Sequence, residues 1–305
     1  MSGLELVSKN RCFNGYLFKY KHTSKVLGNV TMHFNIYLPL CAIDSSSSSP
    51  SPSPLSNGSA SKVPLLYFLS GLTCTEDNMI IKSGAIRFLS ELKIALVTPD
   101  TSPRGAGVEG EDDAWDLGTG AGFYVNATTP KWSKHYNMYS YVNEELPELI
   151  NANFNVDSQR VSIFGHSMGG HGALISALKN PGKFKSVSLF APICNPIDCN
   201  PGQKAFTEYL GKLTPETQPL WESYDACCLV KIYDGPCLDI MLDQGDNDDF
   251  LKRGDLLPDH FMAAAENNKE LVKVQNRLHP TFDHSYWFVQ TFIEDHIRFH
   301  AEHLS

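Results

Sequence analysis

The sequence predicts an α/β fold, a mostly parallel central sheet flanked by helices, and three observations carry that prediction. Short apolar runs recur along the 305 residues with helical stretches between them, the alternation expected of a parallel sheet covered on both faces. Each run ends in turn-forming or chemically useful residues, and open parallel sheets collect their ligands beyond the carboxyl ends of the strands. One run leads into a G-x-S-x-G turn and then a helix, a local arrangement that presents a serine at a strand end.

Residues 31–38 (TMHFNIYL) alternate and residues 63–69 (VPLLYFL) are continuously apolar, so both read as strands. Residues 45–61 between them, SSSSSPSPSPLSNGSAS, are too poor in apolar side chains to fold alone. With a strand on either side they read as a flexible surface loop closing a long hairpin, not as a domain linker. Further strands are expected at 94–97, 161–164, 187–190, 238–242 and 271–278. A chain of this length is expected to form one large domain, 1–305, since α/β folds reach about 250 residues as a single unit.

Lys plus Arg number 25 against 34 Asp plus Glu, a formal charge of −9, with 42% hydrophobic residues. An acidic chain without a basic run lacks the electrostatic footprint for a polyanion, which argues against nucleic acid and anionic membranes as partners. A small-molecule substrate becomes the expectation. Residues 1–10 (MSGLELVSKN) have neither a positive start nor an apolar stretch of a secretory signal, and no apolar run approaches the ~20 residues of a membrane span. The eight cysteines are scattered without a C-x-x-C pair, so neither zinc nor a dithiol redox motif is indicated. Scattered thiols suit a reducing, cytoplasmic setting.

The sharpest motif is Gly165-His166-Ser167-Met168-Gly169. The flanking glycines remove β-carbons from a crowded turn, and the following helix points its positive end at the reacting oxygen. A serine hydroxyl is a weak nucleophile until a base takes its proton, so an acid and then a histidine are expected further on. Both occur in that order, an aspartate of the cluster Asp243, Asp246, Asp248 and Asp249, and His284. Asp243 lies too near the strand, and the residues alone do not separate Asp246 from Asp248. His279, followed by Pro280, is the weaker candidate for the base. The backbone N–H groups of Met168 and Leu72 are the expected donors to an oxyanion. Gly118, Gly120 and Gly122 read as a tight active-site loop, since the spacing and the Lys-Ser/Thr of a phosphate loop are missing. Cys74 lies two residues past Leu72. His296, His300 and His303 share a face of the last helix and read as a solvated helix end, not a metal site. Neither a cofactor nor a metal is expected.

The chain resembles the S-formylglutathione hydrolase, or esterase D, family along nearly its whole length. The resemblance rests on LSGLTCTEDN (69–78), PDTSPRG (99–105), GTGAGFYVNAT (118–128), HYNMYSYVNEELP (135–147), FGHSMGGHGAL (164–174), FAPICNP (190–196), DQGDNDDF (243–250) and DHSYWF (283–288). It implies a cytoplasmic, usually homodimeric α/β-hydrolase that cleaves the small molecule S-formylglutathione to glutathione and formate in formaldehyde detoxification. Side activity on simple aryl and acetyl esters is also implied. Carried over position by position, the resemblance makes Ser167 the nucleophile, Asp248 the acid, His284 the base and Leu72 and Met168 the oxyanion donors, and puts the family's thiol-sensitive cysteine at Cys74. The chain departs from the family at Pro201, where a tryptophan is usual, and this keeps a broad-specificity carboxylesterase as the alternative. A basic spot for the anionic tripeptide is expected among Arg104, Lys131, Lys134 and Lys204.

Overall fold

The computed structural model describes residues 3–43 and 61–305. Residues 45–60 of the predicted Ser/Pro loop lie outside the described residues. Among the described residues nine strands form one sheet: β1 (Glu5–Cys12), β2 (Gly15–Ser24), β3 (Val30–Pro39), β4 (Val63–Leu69), β5 (Ala95–Pro99), β6 (Val156–His166), β7 (Ser186–Phe190), β8 (Leu238–Gly245) and β9 (Val272–His279). Their order across the sheet is β1-β2-β3-β5-β4-β6-β7-β8-β9. The pairs from β5 through β9 are parallel, and those from β1 to β5 antiparallel. This is the mostly parallel sheet of the α/β-hydrolase fold. Every residue of β5 and β7 is buried, which is why these strands are apolar throughout rather than alternating.

Two expectations change. The predicted hairpin does not form, because β5 lies between its two strands and pairs antiparallel with β3 and parallel with β4. The helices Asp77–Lys82 and Ile86–Leu92 form a crossover that returns the chain parallel to β4, on the side facing β3. Alternation in 31–38 decides which face of the strand is buried, but not which strand lies beside it. Strands β1 and β2 also extend the predicted set. β1 is a half-exposed edge carrying Lys9 and Arg11, charges that discourage pairing with another chain.

The second change concerns the last helix, Tyr286–His303. His296 and His300 are fully buried rather than solvated. His296 Nδ1 and His300 Nε2 each lie 2.8 Å from Ser188 Oγ, and His300 Nδ1 lies 2.8 Å from Ser186 Oγ. Ser186 Oγ in turn lies 2.8 Å from Ser162 Oγ. The helix is anchored on β6 and β7 through polar groups that satisfy one another, as buried polar atoms require. Only His303, 3.3 Å from Asp239, keeps partial exposure. Among the described residues no helix is long and apolar enough to cross a membrane.

Candidate active site

β6 ends at His166, and the chain turns abruptly into the helix Met168–Lys179. At the turn Ser167 has φ 59 and ψ −122, a conformation that costs a non-glycine residue on the order of 1–3 kcal/mol. The surroundings hold it there: Ser167 N donates to Phe190 O at 2.9 Å, and its carbonyl accepts from Ile193 N at 3.2 Å. A β-carbon on Gly165 would stand 2.2 Å from Gly169 O, and one on Gly169 1.9 Å from Leu69 O. Both flanks of the motif are therefore sterically obliged to be glycine, and the elbow expected from the sequence is present.

The acid cluster is sorted by its partners. Asp243 lies inside β8, with Arg277 Nε and Nη2 on its two oxygens at 2.6 Å each. Asp246 is exposed and accepts from Thr281 N at 2.6 Å, a turn contact. Asp248 is fully buried. Its Oδ1 accepts from Phe250 N at 2.8 Å and Leu251 N at 3.3 Å, capping the helix Asp249–Lys252. Its Oδ2 accepts from Gln244 Nε2 at 3.1 Å and faces His284 Nδ1 at 2.6 Å. Burial pushes the Asp248 carboxyl up, but His284, the backbone donor and Gln244 together hold it below the usual carboxylate range. His279 turns instead toward Asp243, at 3.1 Å.

The His284 ring is held between two others, with centroids 4.6 Å from His166 and 4.5 Å from Phe250. Burial, with a smaller push from His284, lowers the His166 pKa to about 3. It is therefore a neutral plate against His284 and does not compete with it for a proton.

Leu72 lies in a loop pressed onto the elbow, where a β-carbon at Gly71 would stand 3.0 Å from Ser167 Cβ. That loop is braced from behind. Tyr124 Oη donates to Ser70 O at 2.8 Å, Thr73 N donates to Gly120 O at 2.9 Å, and Gly120 N donates to Ser102 Oγ at 2.7 Å. The glycine segment 118–122 thus supports the Leu72 loop. Met168 is the first residue of its helix, where an N–H has no partner within the helix. Cys74 is buried, which pushes its thiol up, and its carbonyl accepts from Thr101 Oγ1 at 2.6 Å.

Leu72 and Ser167 share a cavity of about 320 Å³ with Ile193, Phe250, Trp115 and Pro201. Of the four cations expected to face an anionic ligand, Lys204 alone lines it. Arg104 is committed to Asp100, at 2.7 Å, and to Cys74 O, at 2.9 Å. Lys131 lies over the Trp132 ring. Arg253, Trp115 and Gln244 belong to the site without having been singled out by the sequence. Nothing in their spacing marks them, because they reach the site from separate elements, Gln244 from the end of β8 and Arg253 from just past the helix Asp249–Lys252.

The Esterase family model matches residues 29–299. The chain is 55% identical over 302 residues to the S-formylglutathione hydrolase of Rattus norvegicus, covering 99% of each chain. It is 52% identical over 304 residues to that of Arabidopsis thaliana, again covering 99% of each. Among solved structures it is similar to an S-formylglutathione hydrolase from Agrobacterium tumefaciens, with a TM-score of 0.87 and 42% identity, covering 98% of this chain and 99% of that one. Similarity at this level, end to end and in both sequence and fold, means that the chain belongs to the S-formylglutathione hydrolase family of serine esterases.

Proposed function

We propose that this protein hydrolyses S-formylglutathione to glutathione and formate through Ser167, His284 and Asp248. The observation that carries the reading is the 2.6 Å contact between His284 and a buried Asp248, next to a strained serine that opens on a cavity. His284 takes the Ser167 proton as the hydroxyl attacks the formyl carbon. The N–H groups of Leu72 and Met168 hold the oxyanion, a contribution worth about 3–4 kcal/mol per donor in a serine hydrolase. Asp248 fixes the imidazole tautomer and balances the charge that His284 acquires. Glutathione leaves as a thiol with an ordinary pKa near ~8.5, a better leaving group than an alcohol. Water activated by His284 then releases formate from formyl-Ser167, and no step calls for a cofactor. The resemblance supports a cytoplasmic homodimer, and the continuous sheet supports a single domain over 1–305.

Pro201 in the cavity wall favours a second reading, a broad carboxylesterase acting on short-chain or aryl esters. Trp115 lines the same cavity and offers the aromatic surface that Pro201 lacks, which supports the thioesterase reading. The test is kcat/KM for S-formylglutathione beside p-nitrophenyl acetate, for the native protein and Ser167→Ala. A large thioester preference, with both activities lost in the variant, is expected. Similar values for the two substrates would instead favour the carboxylesterase.

A further inference from the structure

A formyl group offers one carbon and one oxygen, so selection for its carrier must come from groups that touch the leaving portion. On a chain of formal charge −9, a carrier bearing carboxylates is repelled overall and needs local positive charge to dock. The cavity above Ser167 has two such charges, on Lys204 and Arg253. Each is paired with an acid that also lines the cavity, Lys204 with Asp116 and Arg253 Nε with Asp255 at 3.0 Å. In both pairs the carboxylate is the inner member. The Asp116 and Asp255 side chains are 16% and 11% exposed, against 45% for Lys204 and 57% for Arg253. An entering ligand therefore meets the cations first. The acids fix where the cations stand, while Arg keeps further N–H donors and Lys further ammonium protons for a second anion.

Arg253 is also coupled in space to the reacting groups. Its guanidinium lies 4.5 Å over the Phe250 ring, which in turn contacts the His284 ring at 4.5 Å between centroids. Lys204 stands in the helix Asn200–Leu210, one turn beyond Pro201. The two cations therefore reach the cavity from separate segments, each paired with its own acid, so that each can meet a carboxylate of its own.

Resting on the thioesterase reading above, we infer that Arg253 and Lys204 are the specificity-determining residues of this site, each receiving one of the two carboxylates of a glutathionyl leaving group. The arrangement distinguishes a thioester whose carrier bears two carboxylates from a neutral ester of the same acyl size, which gains nothing from either cation.

The experiment measures the selectivity ratio, kcat/KM for S-formylglutathione over that for p-nitrophenyl acetate, in the full chain and in Arg253→Gln, Lys204→Gln and the double variant. Each single substitution is expected to lower the ratio about 10-fold, the scale of one hydrogen bond to a charged group, mainly through KM for the thioester. Arg253→Lys, which keeps the charge, is expected to restore most of it. Added salt should lower the native ratio and leave the double variant's ratio flat. These half-exposed pairs add little to stability, so the variants fold, and circular dichroism checks that they do. A ratio unchanged by the substitutions, even where both rates fall together, overturns the assignment. A native protein with no thioester preference is a different result, and it removes the functional reading and this assignment with it.

Discussion

Asp243 and Asp248 stand five residues apart, and each faces a histidine, His296 at 3.2 Å and His284 at 2.6 Å. Their other partners differ. Asp243 already has the Arg277 guanidinium on both oxygens, an arginine it shares with Asp295. Although burial alone would raise its carboxyl, His296 and Arg277 drive it far below the usual range. His296 is itself sealed, stacked on Phe190 with centroids 3.6 Å apart and fixed to Ser188. Asp248 has only neutral donors besides His284, and the His284 side chain keeps 16% exposure. An aspartate with a histidine beside it is thus not in itself catalytic machinery. When an arginine neutralises the acid and the ring has no access, the pair is a structural joint. When the acid's charge is left to the imidazole and the ring keeps some access, it can serve proton transfer.

The sharpest way to break this contrast is to remove the same charge from each pair. Asp248→Asn is expected to lower kcat about 10⁴-fold, as loss of the tautomer-fixing acid does in such triads, with little change in the unfolding midpoint. Asp243→Asn is expected to do the reverse. It removes the carboxylate that Arg277, His279 and His296 share, leaving Arg277 only Asp295 as a charged partner, and costs about 3 kcal/mol, read by denaturant titration, while the folded fraction keeps its activity. A stable but inactive Asp243→Asn protein would mean the contrast is wrong.

A smaller effect tests how Asp248 is held. Gln244→Met fills similar volume but takes away the donor 3.1 Å from Oδ2. About a tenfold fall in kcat is expected, on the scale of one hydrogen bond to a charged group, with KM unchanged. A rise in KM alone would place Gln244 among substrate contacts instead.

The gentlest test is pH. Burial lowers the pKa values of His296 and His300, and takes His171 down to about 4 and His166 to about 3. These rings stay neutral in the fold, whereas in the unfolded chain they titrate near ~6.5. Their contribution to stability is complete above about pH 6.5. It is lost as pH falls from there toward the folded values, by up to ~1.4 kcal/mol per pH unit for each ring. His300→Gln should flatten the slope of unfolding free energy between pH 6.5 and 5 by one proton's worth. An unchanged slope would show that His300 is not among the neutral buried rings.

The same contrast marks what the sequence could reveal. The Ser167 elbow was legible because its demands are local: two glycines, a strand before and a helix after. That His284 meets an acid of the cluster was legible from order along the chain. The separation of Asp248 from Asp246 was not, because it depends on which carboxylate meets a ring 36 residues later. The burial of His296 and His300 escaped because their serine partners, Ser186 and Ser188, lie far away in sequence on β7, and helical spacing says nothing about what a face packs against. Arg253 escaped for a similar reason: its place beside the cavity depends on an exposed side chain folding back over Phe250. The strand pattern gave the parallel half of the sheet but not the place of β5, which a crossover decides.

That place has a consequence for synthesis. β1, β2 and β3 pair through short turns, and hairpins close in ~1–10 μs, so this meander forms as soon as it clears the ribosome. Its next neighbour is β5, which meets β3 through Phe34, Asn35, Ile36 and Tyr37 but begins only at Ala95, long after β3 ends at Pro39. At ~5–20 residues per second the edge of β3 waits for several seconds. During that interval a nascent chain carries an open, apolar strand edge, the surface on which a chaperone's protection against wrong pairing matters most.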